Sequence, residues 1–149
     1  MDITDFLSPT DALTELRAPD KTRALQELSA RAAATLKLDA DRVSADLLKR
    51  EELGSTGMGN GVAIPHARFA ELAKPFGILA RLKKAIAFDA IDAQPVDIVF
   101  LLLLPSAADA GQLNALACVA RKLRDPKVLA ELRRADDGAA LYRAMVRDD

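Results

Sequence analysis

The chain has a single histidine, His66, which closes the segment Gly54-Ser55-Thr56-Gly57-Met58-Gly59-Asn60-Gly61-Val62-Ala63-Ile64-Pro65. An imidazole near its ordinary pKa is largely neutral at cellular pH, so one ring nitrogen is free to act as a nucleophile. Most lone histidines serve packing or the surface. This one directly follows Pro65 at the end of a short strand-like segment, where a loop residue can be held rigidly yet stay reachable. Glycines let backbone amides approach an anion closely because no Cβ intervenes. Phosphoryl transfer asks a protein mainly for positioning and for donors around the equatorial oxygens. The candidate donors are the amides of Gly57 to Gly61, with Gly59 and Asn60 at their centre, and the hydroxyls of Ser55 and Thr56. A tight chain reversal would explain the same glycines without any ligand.

Arg50 adds a cation. It shares a helix face with Val43 and Leu47, at spacings of four and three. Two roles are open to it: interaction with the helix C-terminus while its stem snorkels, or a guanidinium that reaches phosphate oxygens. Other chemistries fit less well. No Gly-Lys-Ser/Thr follows the glycines and a strand rather than a helix comes next, which excludes a nucleotide P-loop. The spacing of Gly57, Gly59 and Gly61 does not match a dinucleotide fingerprint. One histidine and one cysteine give no zinc set, no nucleophile elbow is present, and no metal or cofactor is expected.

The elements that must position these residues follow from periodicity. Asp20 is an N-cap for a helix to Leu36, with Leu25, Leu28, Ala32 and Leu36 on its apolar face. A second helix runs from about Asp39 to Leu53, with Val43, Leu47 and Leu48 inward. It stops at Gly54, because four glycines in eight residues cost too much backbone entropy. Val62 to Ile64 reads as a short strand ended by Pro65. Phe76 to Leu82 alternates like a half-buried strand, and Ile98 to Leu104 is uniformly apolar, as suits a central strand covered on both faces. Three helices follow. The first spans about Asp109 to Arg124 with Leu113, Leu116, Ala120 and Leu123 on one stripe. The second starts at Asp125-Pro126, and the third opens at Asp136-Asp137 with Leu141, Tyr142 and Met145 inward. Helices before and after a cluster of strands predict an α/β layered domain, taken as one unit over 1–149.

Bulk properties narrow the partners. Half of the 149 residues are hydrophobic, enough for a core, and 21 Lys plus Arg against 22 Asp plus Glu leave a net charge of -1. That balance disfavours nucleic acid as a partner. The acidic start Met1-Asp2-Ile3-Thr4-Asp5 is unlike a signal peptide, and the longest apolar run, Ile98 to Leu104, is far too short for a membrane span. A lone Cys118 fits a buried helix position in a reducing compartment. The expectation is a cytoplasmic protein with no membrane insertion.

The stretch from Arg50 to His66 closely resembles the active-site motif of fructose/mannitol-type enzyme IIA (EIIA) domains of the phosphotransferase system. The segment Ala85 to Asp97, the apolar run to Pro105 and the helix carrying Val119 to Leu123 look like the nitrogen-regulatory branch, so the resemblance covers nearly the whole chain. It implies an α/β fold with a small mixed sheet flanked by helices. It also implies phosphorylation of His66, at Nε2, by an HPr-like phosphocarrier, with Arg50 at the phosphoryl site. Members of that branch act mainly as regulators of potassium-transport, sensor-kinase or other metabolic proteins according to phosphorylation state.

One position departs from the pattern. Many relatives carry a second histidine near the phosphoacceptor where this chain has Gln112, and another where it has Asn114. Glutamine can donate a neutral hydrogen bond but cannot become a cation near neutral pH. Gln112 is therefore expected to orient His66 or its phosphate with weaker charge stabilisation, unless it serves only to pack. Two other functions stay open at this point: a sugar-specific EIIA subunit that passes phosphate to a IIB domain, and an adaptor that has lost transfer.

Overall fold

The computed structural model describes residues 2–107 and 110–147, with the side chains of 110–113 left aside. Among the described residues the chain forms six strands and five α-helices after two 3-10 turns at Ile3–Asp5 and Pro9–Asp11. The strands are β1 (Ala12–Leu16), β2 (Gly57–Gly59), β3 (Val62–Ala63), β4 (His66–Phe69), β5 (Phe76–Ile86) and β6 (Val96–Pro105). The helices are α1 (Lys21–Leu36), α2 (Ala40–Leu53), α3 (Ala110–Arg124), α4 (Pro126–Arg134) and α5 (Gly138–Val146). The sheet order is β1-β5-β6-β3-β2, with β4 also pairing to β6. β5 and β6 run antiparallel, while β1–β5, β3–β6 and β4–β6 are parallel. This is the mixed, helix-flanked sheet expected of an α/β domain.

β6 explains the layering. Ile98, Phe100, Leu102 and Leu104 point into a core shared with α3, α4 and α5. Val99, Leu101 and Leu103 point the other way, into a core closed by α1 and α2. A strand apolar on every residue is what burial on two faces requires.

Helix starts follow the capping signals. The carboxylates of Asp20, Asp39, Asp125 and Asp137 each accept a backbone amide in the first turn that follows, and Pro126 begins α4. Three expectations shift. β1 has no counterpart in the periodicity, because Glu15 adopts φ 61 and the register slips between Leu13 and Leu16. On α3 the buried face runs through Ala115, Cys118, Val119 and Leu123, whereas Leu116 and Ala120 are only partly buried. On α2 the buried stripe is Val43, Leu47 and Glu51, a strict i, i+4, i+8 series, which leaves Arg50 at its edge.

The glycine-rich segment is a β-hairpin rather than an open loop. β2 and β3 pair antiparallel, and Gly59 sits opposite Val62 across the two-residue turn Asn60-Gly61. The turn residues have φ 58 and 81, the pair of positive values that a type I′ turn demands and that Asn-Gly supplies.

Candidate functional site

β3 and β4 keep one register against β6: Val62 lies opposite Ile98, Ala63 opposite Val99 and His66 opposite Leu102. They are one strand interrupted at Ile64-Pro65. Pro65 has no amide to donate, but its carbonyl still accepts from the Leu102 amide at 2.9 Å. Ile64 faces the other neighbour and donates its amide to the Thr56 carbonyl at 3.1 Å. An antiparallel pair of this kind normally exchanges two bonds, the second from the Thr56 amide to the Ile64 carbonyl. Here the Thr56 amide is directed instead at the Glu51 carboxylate, 3.2 and 3.1 Å from its two oxygens. The Ile64 carbonyl accepts from the ring of His66, with Nδ1 at 2.8 Å.

That bond fixes the chemistry of the ring. A carbonyl oxygen only accepts, so Nδ1 carries the proton, and the neutral ring has its lone pair on Nε2. Burial lowers the His66 pKa from its ordinary 6.5; the bond to Ile64 works against this, and the positive charges of Arg50 and Arg68 reinforce it. The ring is therefore neutral at cellular pH and, being half-buried, still open to one side.

Two adjoining depressions share His66 and Arg50. One is lined further by Asp46, Lys49, Leu53, Ala67 and Arg68. The other is lined by Thr56, Met58, Ile64, Leu116, Ala117, Ala120 and Arg124. Lys49, Arg50, Arg68 and Arg124 thus face one carboxylate, Asp46, around a ring nitrogen in a chain that is close to neutral overall. The arrangement suits a dianionic group held on Nε2.

The residues singled out in the sequence are distributed unevenly. His66, Arg50 and Thr56 come together, and the Arg50 guanidinium is steadied by donating to the Gly54 carbonyl at 2.8 Å. The hydroxyl protons of Ser55 and Thr56 are already committed. Ser55 donates to the Phe88 carbonyl at 2.6 Å, and Thr56 donates to Glu51. A hydroxyl has one proton, so neither is left to donate to a phosphate. Gly59 and Asn60 line neither depression. The Asn60 amide donates to Asp92 at 3.0 Å, its carbonyl accepts from Arg133 at 2.6 Å, and Gly59 lies beside the Asp92 carboxylate. The glycines therefore shape a hairpin, and the positive charge that lines the depressions comes from Lys49, Arg50, Arg68 and Arg124. Gln112 lies in α3, but its side chain falls outside the described residues, and Asn114 is exposed.

Sequence reasoning missed Lys21 and Glu51. The Glu51 side chain is 4% exposed, lies 2.6 Å from the Lys21 ammonium, and holds both the amide and the hydroxyl of Thr56. The signal was present: Glu51 continues the Val43-Leu47 stripe, where a carboxylate must find partners once buried. Arg68 and Arg124 carried no comparable sequence signal.

The family model described as "Phosphoenolpyruvate-dependent sugar phosphotransferase system, EIIA 2" matches residues 5–147. The chain belongs to this EIIA family. Among its relatives, a nitrogen regulatory protein of Bradyrhizobium diazoefficiens is 47% identical over 142 residues, covering 95% of this chain and 93% of that protein. In three dimensions this EIIA chain is similar to nitrogen regulatory protein IIA-Ntr from Neisseria meningitidis, with TM-score 0.90 and 29% identity over 96% of this chain and 98% of that one. The mannitol IIA of Escherichia coli superposes with TM-score 0.76 at 15% identity, over 93% of this chain and 98% of that one, which shows a shared fold. No helix among the described residues is long and apolar enough to cross a membrane.

Proposed function

We propose that the protein is a regulatory phosphoacceptor of the nitrogen branch of the phosphotransferase system, taking a phosphoryl group on Nε2 of His66 from an HPr-like phosphocarrier. The observation that carries this reading is the Nδ1–H bond to Ile64, which leaves the lone pair on Nε2 of a ring that lines both cationic depressions. As the Nε2–P bond forms, the bond between phosphorus and the donor breaks, and its electron pair leaves with the donor. The acceptor ring, still protonated on Nδ1, gains positive charge, which the Ile64 carbonyl stabilises. Arg50, with Arg68 and Arg124 nearby, meets the equatorial oxygens.

The exposed Leu53 and the half-buried Met58 and Leu116 surround the same ring and give a protein donor an apolar footing. A phosphoryl group placed there changes the local charge by up to two units, enough for regulated partners to distinguish the two forms. Potassium-transport and sensor-kinase proteins are the partner classes in view. The reaction belongs in the cytoplasm, with which the buried thiol of Cys118 is compatible.

Incubation with phosphoenolpyruvate, enzyme I and an HPr-like carrier should add an acid-labile phosphoryl mass that His66→Ala abolishes. No label, or an acid-stable one, overturns the proposal. Rapid onward transfer to a IIB domain would instead favour a sugar-transport subunit, and identical partner sets for both forms would favour an adaptor.

A further inference from the structure

The hydrogen-bond pattern around the hairpin assigns a task to Glu51 that its burial alone would not suggest. The Ile64 carbonyl has two claimants. The Thr56 amide would take it to complete the antiparallel pair begun by the Ile64 amide. The His66 ring takes it instead. What separates them is the Glu51 carboxylate, which engages the Thr56 amide with both oxygens and the Thr56 hydroxyl with one. Glu51 is held in turn by the Lys21 ammonium at 2.6 Å. Lys21 lies over the Phe88 ring, 4.7 Å from its centroid, and reaches the Phe88 carbonyl, which also accepts from Ser55. The chain of contacts thus runs from the first turn of α1, through the last turn of α2, to the carbonyl that grips the ring.

We propose that Glu51 is a positioning residue: by diverting the Thr56 amide it reserves the Ile64 carbonyl for Nδ1 of His66, and so selects Nε2 as the reacting nitrogen. Only the last step rests on the phosphoacceptor reading, because the tautomer exists whether or not phosphate is ever bound. A neutral imidazole free in water populates both tautomers, and a carbonyl held for one nitrogen shifts that balance by the worth of one hydrogen bond. The buried carboxylate also favours positive charge on the ring, which develops as Nε2 takes phosphorus.

The test is nitrogen-15 NMR on the full chain above the titration of His66. The unaltered protein should show the Nδ1–H tautomer, and a scalar coupling across the hydrogen bond should link the Thr56 amide nitrogen to the Glu51 carboxylate carbon. A dominant Nε2–H tautomer, or a coupling from the Thr56 amide to the Ile64 carbonyl carbon, overturns the assignment. In Glu51→Leu the freed amide shares the Ile64 oxygen, whose two lone pairs let it accept both bonds, and weakens the one from the ring. The ratio of Nε2–H to Nδ1–H should therefore rise, by up to the roughly five- to tenfold worth of one hydrogen bond. Glu51→Gln, whose amide oxygen still accepts from Thr56, should stay near the starting ratio. Val43→Ala, about two turns further from the hairpin on the same buried stripe, should lower stability without moving it. An unchanged ratio in Glu51→Leu, or an equal rise in Val43→Ala, defeats the proposal. Should Glu51→Leu not fold, the two couplings in the unaltered chain decide the matter alone. Phosphorylated Glu51→Leu should carry a mixture of Nδ1 and Nε2 phosphohistidine. Failure of every form to accept phosphate would count against the phosphoacceptor reading and leave the tautomer result standing.

Discussion

The Lys21 ammonium lies 2.6 Å from the Glu51 carboxylate, and the two side chains are 17% and 4% exposed. Removing one member of a buried pair leaves an uncompensated charge, which typically costs about 3 kcal/mol or more. Lys21→Met should therefore lower unfolding stability by about that amount in urea denaturation. The exposed pair Arg23–Glu27 on α1 is the internal comparison. Arg23→Met should cost no more than about 0.5 kcal/mol. Equal effects for the two substitutions would show that burial does not set the strength of the Lys21 pair.

Protonation of His66 removes the Nε2 lone pair, so phosphoryl acceptance should fall as pH drops through the folded-state pKa. Burial, Arg50 and Arg68 lower that pKa below 6.5, and the acidic limb should lie below 6.5 as well. The sign for stability is the same. Between the folded value and 6.5 the unfolded chain binds more protons, so stability declines as pH falls through that window and levels off beneath it. Arg50→Gln removes one of the opposing charges and should raise the midpoint. NMR titration of the ring carbons checks both statements, and a wild-type midpoint above 6.5 would refute them.

Much of this arrangement was legible in the sequence because local chemistry decided it. The caps at Asp20, Asp39, Asp125 and Asp137, the two-faced strand around Leu101 and the position of His66 after Pro65 all follow from residue types at fixed spacing. What escaped depended on contacts distant in sequence. The Thr56 hydroxyl is a candidate anion donor by sequence, but its proton goes to Glu51, and Asn60-Gly61, a candidate part of a cradle, forms a hairpin turn instead. Arg124 reaches the site only because α3 packs back across β6. No spacing rule connects it to His66.

Arg50 lines both depressions at His66, and its bond to the Gly54 carbonyl leaves further N–H groups of the guanidinium to meet an anion. Loss of a pre-positioned donor at the site of developing charge usually costs a hundredfold or more in rate. Arg50→Ala should slow phosphorylation of His66 by roughly that factor without unfolding the chain, and Arg50→Lys should recover only part of it, because an ammonium lacks the planar fork. Rates should be followed by quench-flow with a phosphorylated HPr-like carrier. A rate within about twofold of wild type for Arg50→Ala would remove this side chain from the transfer step.

The hairpin supplies the contrast that separates shape from ligand binding. Gly57 packs against Ala90 so closely that an added Cβ would lie 2.7 Å from the Ala90 Cβ and 2.9 Å from its Cα, a backbone atom that cannot step aside. Gly57→Ala should destabilise the protein by about 2 kcal/mol through overpacking, seen as a lower denaturation midpoint. Asn60, at the turn, is exposed and holds its neighbours through backbone atoms, the amide to Asp92 and the carbonyl from Arg133. Asn60→Gly keeps both contacts and the positive φ, so phosphorylation should proceed at the wild-type rate to within about twofold. If the Asn60 side chain were instead a phosphate donor, the same substitution would slow transfer by tenfold or more (roughly, for a lost neutral donor). The paired measurement therefore decides whether these glycines and Asn60 hold an anion or simply fold the strand that presents His66.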